Sequence, residues 1–234
     1  MLKLRMLFIF FILLNLSACL SSSGGDTTNN NTLTSSAIAD SSVVTDAEKK
    51  NLQLSLGRQL FFDKNLSSPA GQACASCHDP KTGFADPNPN SPTSQGVHKE
   101  RFGNRNTPTM AYASFTPTFT FDEKEQAYIG GLFLDGRAAT LVEQAKGPFL
   151  NSVEMANPNK ETVVTKVSQA EYAPLFKKIY GEQAFLDNEK AYDQIAEAIT
   201  VFEQSSEVNA FSSKYDYFLA GKVALTEQEL LGMQ

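Results

Sequence analysis

Tryptophan is missing from this 234-residue chain, and cysteine and histidine are scarce, with three and two copies. So few cysteines exclude a disulfide-stapled fold, and a structural zinc site would need a second ligand pair that is not there. Positive charge is short as well: 20 Lys and Arg stand against 26 Asp and Glu, a formal net charge of −6. A chain with so few free cations argues against nucleic acid as a partner and favours a basic protein surface instead. Strand-like alternation of any length is also lacking. What remains is 41% hydrophobic and 10% aromatic residues, the make-up of an ordinary globular domain.

The N-terminus has a short basic region (Lys3, Arg5), an apolar run from Met6 to Leu14 and then small residues. That run is too short to span a bilayer and has the flanks of a secretory signal. Leu16-Ser17-Ala18-Cys19 resembles a bacterial lipobox, in which the cysteine becomes the lipidated first residue of the mature chain. The expectation is a signal peptide over 1–18, lipidation at Cys19 and attachment on the periplasmic side of a bacterial membrane through that lipid alone. Loss of Lys3 and Arg5 would leave 18 basic against 26 acidic residues, a formal −8. Residues 19–44, rich in Ser, Thr, Asn and Gly, read as a flexible tether reaching roughly 25–30 Å.

Order is predicted from Thr45, where Thr45-Asp46-Ala47-Glu48 opens a helix with Leu52, Leu56 and Leu60 on one face. Asp79 to Pro108 is rich in Pro, Asn, Ser and Gly and predicts a long loop wrapped over something. Helices are predicted over 138–146, 160–169, 173–180 (stopped by Gly181) and 190–204. The last carries Tyr192, Ile195, Ala196, Ile199 and Phe202 at helical spacing. The fold class is therefore mainly α. A domain over 45–221 is followed at 222–234 by a second capping box, Thr226 to Glu229, that opens a further helix. That short helix is marginal alone, so a chain continuing into another domain is expected.

The chemistry concentrates in Cys74-Ala75-Ser76-Cys77-His78. Two thiols on one helical turn can form thioethers to two vinyl groups, with the next histidine placed under an iron, which is the attachment pattern of haem c. A disulfide across two residues would close a very small loop, and a redox dithiol would want a βαβ setting. With His78 as proximal ligand, the other axial position decides the reactivity. His98, Met110 and Met155 are the candidates for it, and the residues alone leave the three open.

Several separated segments then occur in a telling order: "LGRQLFFDKNLS" at 56–67, the CxxCH, "RNTPT" at 105–109, "FLDGRAATLVEQAKGP" at 133–148 and "NSVEM" at 151–155. Together they resemble the bacterial di-haem cytochrome c peroxidases and the related methylamine-utilisation di-haem enzymes. The resemblance implies a cytochrome c-like helical domain with long irregular loops around one covalent haem, the peroxidatic one. A second haem belongs to a domain beyond this sequence. It implies His98 as a loop histidine that holds the sixth position of the iron in the resting form. Gln144 and Glu154 are implied in the distal pocket, and Asn106 as one ligand of a calcium ion between the domains. Asp135-Gly136-Arg137 reads either as a structural turn or as placing Arg137 against a haem propionate. Peroxide cleavage needs a base that takes a proton from one oxygen and returns it to the other, which suits Glu154, while Gln144 can orient the substrate.

The implied activity is cytochrome-c peroxidase: hydrogen peroxide reduced to water with electrons from a small donor protein, a c-type cytochrome or a cupredoxin, with a homodimer as a candidate assembly. Two other readings stand beside it, a mono-haem electron carrier without peroxidase activity and a di-haem oxidase of an organic or protein substrate. One departure from the family is clear. Members commonly carry a tryptophan before "DGR" between the haems, where this chain has Leu134, a side chain that cannot be oxidised to a radical. The segment 114–131, with Phe119, Phe121 and Tyr128, is also longer than in the simplest members.

Overall fold

The computed structural model describes residues 45–234. The expected signal peptide, Cys19 and the tether lie outside the described residues. Eight helices and one short hairpin make up the described chain: α1 (Asp46–Phe62), α2 (Cys74–Cys77), β1 (Thr120–Asp122), β2 (Ala127–Ile129), α3 (Leu141–Leu150), α4 (Lys160–Gln169), α5 (Ala173–Tyr180), α6 (Asn188–Glu203), α7 (Lys214–Leu219) and α8 (Glu227–Gly232). The class is mainly α, as predicted.

The centre of the fold is the pair α1 and α6. Helix α1 starts where Thr45 accepts a hydrogen bond from the Glu48 N–H at 3.2 Å. It buries Leu56 and Leu60, with Leu52 half-buried on the same side. Asp187 caps α6, which buries Tyr192, Ile195, Ala196, Ile199 and Phe202. The two backbones meet at Gly57. A Cβ there would collide with the Ala198 carbonyl, so only glycine admits this approach. Val163, Val167 and Phe176 from α4 and α5 complete the main core. Each such side chain contributes about 1.5–3 kcal/mol by leaving water.

A second cluster, Phe61, Phe84, Met110, Phe202 and Val208, lies against Cys74 and Ala75. It ties the end of α1 to the Cys74–Cys77 turn. Asn157 is the polar hub on the other side: its amide donates to the carbonyls of Leu66 and Phe149, at 2.8 and 2.9 Å, and its oxygen accepts from Ser68. Because Asn157 is buried, those bonds hold two loops in register at a point where water cannot replace them.

Two predicted elements differ. The helix expected from 138 starts at Leu141, because Thr140 accepts from the Glu143 N–H while the Glu143 carboxylate reaches back to the Ala139 N–H. Ala138 is pulled into a bridge with Leu132 instead. The segment 114–131 contains the hairpin, which puts Phe121 opposite Tyr128 and stacks Phe119 on Tyr128 with 5.3 Å between ring centres. Strands of three residues are too short to leave a readable alternation.

Candidate active site

Helix α2 is a single turn, and it brings both thiols and the following histidine to one side. Ser76 caps it by accepting from the Ala73 N–H at 3.0 Å. Cys74 and Cys77 are free thiols. Burial pushes the Cys74 thiol up to about 12, with Glu203 and Cys77 adding to it. Burial also raises Cys77, against a hydrogen bond from Ser94. Thiols held neutral are poor metal ligands.

His78 Nδ1 lies 3.1 Å from the Phe84 carbonyl. A carbonyl only accepts, so Nδ1 carries the proton and Nε2 keeps its lone pair. Burial depresses the imidazole below its ordinary value, so it is neutral, the form in which a histidine ligates.

These three side chains line a cavity of about 500 Å³, the size of a cofactor pocket. Phe61, Met110 and Ile199 supply apolar wall. Gln144 from α3 and Glu154 from the loop after it line the same cavity. Pro148 lies within α3 and has no N–H, so the Gln144 carbonyl receives no bond from four residues on. Asn151 positions Glu154 by donating to its Oε1 at 2.7 Å. Burial raises the Glu154 carboxyl above its ordinary value, while the Asn151 bond and the Arg137 charge pull it back.

The mouth of the cavity is built on strain. Phe133 and Leu134 take positive φ, 68° and 67°, and the Phe133 carbonyl accepts from both Arg105 (2.9 Å) and Arg137 (3.2 Å). Asp135 joins the same two arginines, at 2.7 Å and 2.8 Å. Arg105, then Arg137, holds its carboxyl down at about 2. Leu134 points outward, 67% exposed.

The structure therefore brings Cys74, Cys77, His78, Arg137, Gln144 and Glu154 around one space, and Asn106 also lines it, with its amide donating to the Pro92 carbonyl at 3.3 Å. Met110 and Met155 line the cavity too; His98 is not among the lining residues. The His98 loop is nevertheless fastened to the site, since the Val97 N–H donates to the Glu154 carbonyl at 2.9 Å and Arg101 donates to the Ser152 carbonyl at 3.2 Å. No group of three acidic, histidine or cysteine side chains suited to a metal ion occurs among the described residues.

Residues 51–224 match the family model described as di-haem cytochrome c peroxidase. The chain belongs to that family. It is similar to the methylamine utilization protein MauG of Paracoccus denitrificans, 40% identical over 181 residues, which cover 76% of this chain and 46% of that protein. It is also similar to the cytochrome c551 peroxidase of Pseudomonas aeruginosa, 36% identical over 183 residues, covering 78% and 46%. Among solved structures, the diheme peroxidase BthA from Burkholderia thailandensis superposes with a TM-score of 0.71 at 35% identity, covering 77% of this chain and 45% of that one. The chain thus spans about half the length of the curated relatives it matches.

Membership of a di-haem family implies haem c, and the pocket fits one. Two neutral thiols and a neutral histidine, its Nδ1 bonded to the Phe84 carbonyl, line a cavity of mixed apolar and polar wall. On its lining, two buried polar atoms, Gln72 Oε1 and Glu203 Oε2, have no hydrogen-bond partner among the described residues. Glu203 is the cavity residue that sequence reading missed. It was detectable in principle, because it falls four residues after Ile199 on the buried stripe of α6, where an acid is out of place. The pairing of Arg105 with Asp135 spans thirty positions and left no such trace.

Proposed function

We propose that this chain carries the peroxidatic site of a haem-dependent enzyme that reduces hydrogen peroxide to water with electrons from a small redox donor, a c-type cytochrome or a cupredoxin. The observation that carries this reading is the grouping of Glu154 and Gln144 on the lining of the same cavity as Cys74, Cys77 and His78. Bound haem c would supply a redox-active iron. Cys74 and Cys77 would hold it, His78 would ligate it through Nε2, and Arg137, on the cavity lining, would pair with a propionate. Glu154 takes a proton from one peroxide oxygen and returns it to the other, and Gln144 orients the substrate through its amide. Two electrons and two protons per peroxide leave two waters.

His98 serves in this proposal as a resting-state ligand that its loop presents to or withdraws from the cavity. Its position off the cavity lining is the arrangement an open site requires. Asn106 contributes to a calcium site completed by a further domain. An N-terminal signal over 1–18 and lipid on Cys19 place the domain on the periplasmic side of a bacterial membrane. The homodimer is retained as the candidate assembly.

The deciding experiment compares the haem-loaded protein with Glu154→Gln in peroxide consumption by a reduced cytochrome donor. The expected result is a fall of about 10²–10⁴ with haem content unchanged. Unaltered turnover would remove Glu154 from the reaction. A second reading, oxidation of an organic or protein substrate by the same site, draws on the 40% identity to a methylamine utilization protein. It predicts slow donor-linked turnover alongside a normal optical response to peroxide.

A further inference from the structure

We propose that Glu203 is the proton site coupled to the electron chemistry of the pocket: it binds a proton when haem held by Cys74 and Cys77 is reduced, and releases it on oxidation. This rests on the haem reading above, though not on peroxide as substrate. In balanced form, one electron from a one-electron donor converts ferric to ferrous iron while one proton from solvent converts the Glu203 carboxylate to the acid. Oxidation reverses both.

The case begins with burial. Glu203 is the last residue of α6, 6% exposed, on the cavity wall with Ile199 and Phe61. Its Oε2 is enclosed with no hydrogen-bond partner among the described residues. The Asn209 amide, which could have served it, donates to the Glu203 backbone carbonyl at 2.7 Å instead. An acid so placed is costly to ionise unless a positive charge comes to it. Burial alone pushes it up to about 8. A ferric porphyrin core carries one more positive charge than a ferrous one, so the oxidised cofactor favours the carboxylate and the reduced cofactor favours the acid.

The other titratable groups facing this space are already committed. On α2, the Cys74 thiol feels Glu203 but is consumed by thioether formation. His78 gives Nδ1 to Phe84 and Nε2 to the iron. Glu154 is bonded to Asn151. At the mouth, Arg105 and Arg137 are bound to Asp135, whose own carboxyl stays ionised. On the elements packed against α6, Arg58 of α1 pairs outward with Glu207, Lys146 of α3 with Asp193, and Lys166 of α4 bonds to Ser67 and Ser68. Of the two carboxyls on the cavity lining that burial raises, Glu203 is the one whose enclosed oxygen has no hydrogen-bond partner among the described residues.

The test is an optically monitored redox titration of the haem-loaded protein from about pH 5 to about pH 10, for wild type and Glu203→Gln, with redox-difference infrared spectra of both. The wild-type potential should fall with rising pH, with a slope approaching one proton per electron on the alkaline side of neutrality. A protonated-carboxyl band should grow on reduction. Glu203→Gln should flatten that segment, lie at higher potential above neutral pH and lack the band. A slope that persists in the variant, or a wild-type spectrum without the band, overturns the proposal, and the second result needs no variant to fold. Haem content separates the two levels of the claim. If no haem attaches to Cys74 and Cys77 the haem reading falls with it; if haem attaches and the slope ignores Glu203, only this inference falls.

Discussion

The backbone N–H of Val97 donates to the carbonyl of Glu154 at 2.9 Å, so the loop bearing His98 and the loop bearing the proposed base are stitched together. Gly96 lies flat on the same strip, where a Cβ would collide with the Val153 carbonyl. A methyl group at position 96 must therefore move the Glu154 loop. Gly96→Ala is expected to lower peroxide turnover on the order of tenfold to a hundredfold while the haem-to-protein absorbance ratio stays normal. A rate equal to wild type would show that the loop yields without moving the carboxylate.

The pH dependence of turnover follows from the surroundings of Glu154. A base must be ionised, and burial raises this carboxyl above the ordinary value, so activity should rise with pH through an inflection higher than that of an exposed glutamate. The Asn151 hydrogen bond favours the charged form. Asn151→Ala should therefore move the inflection further up in a pH–rate profile. Movement in the acid direction, or none, would contradict this geometry.

Stability of the haem-free protein should carry the mark of Glu203. Its folded-state value of about 8 lies above the ordinary 4.5. Between those values the folded state holds a proton that the unfolded state has released, so stability present below the lower value is lost as pH rises through the upper one. The full effect is on the order of 5 kcal/mol. Denaturant unfolding at about pH 5 and about pH 8.5 should show this loss in wild type and much less of it in Glu203→Gln.

His98 can be tested through the iron it is proposed to cover. In the ferric spectrum, His98→Gly should convert the low-spin fraction of the resting haem-loaded protein to high-spin and make the Soret band respond to peroxide without prior reduction. A variant that stays low-spin and inert would transfer the ligand role to Met110 or Met155, which both line the cavity.

Much of the architecture was readable because it depends on local pattern. Leu56 and Leu60 on α1, and Tyr192 to Phe202 on α6, announce their buried faces by spacing alone. The start of α3 lies at Leu141, later than the spacing suggests, because Thr140 caps the helix while Ala138 is held in a bridge with Leu132 that no helical pattern announces. The hairpin at 120–129 was overlooked because its pairing, unlike a helix, involves too few residues to repeat.

By itself, the sequence determined the spacing of Cys74, Cys77 and His78 on which the proposed haem attachment rests, since that spacing is local. It also determined the helical class and the order of the segments that mark the family. Tertiary structure alone decided which side chains share the cavity. It brought Glu154 and Gln144 into the same cavity lining as α2, left His98 outside that lining, and enclosed Glu203 Oε2 without a partner among the described residues. The physical reason is that burial and the electrostatics that follow from it arise between elements distant in the chain.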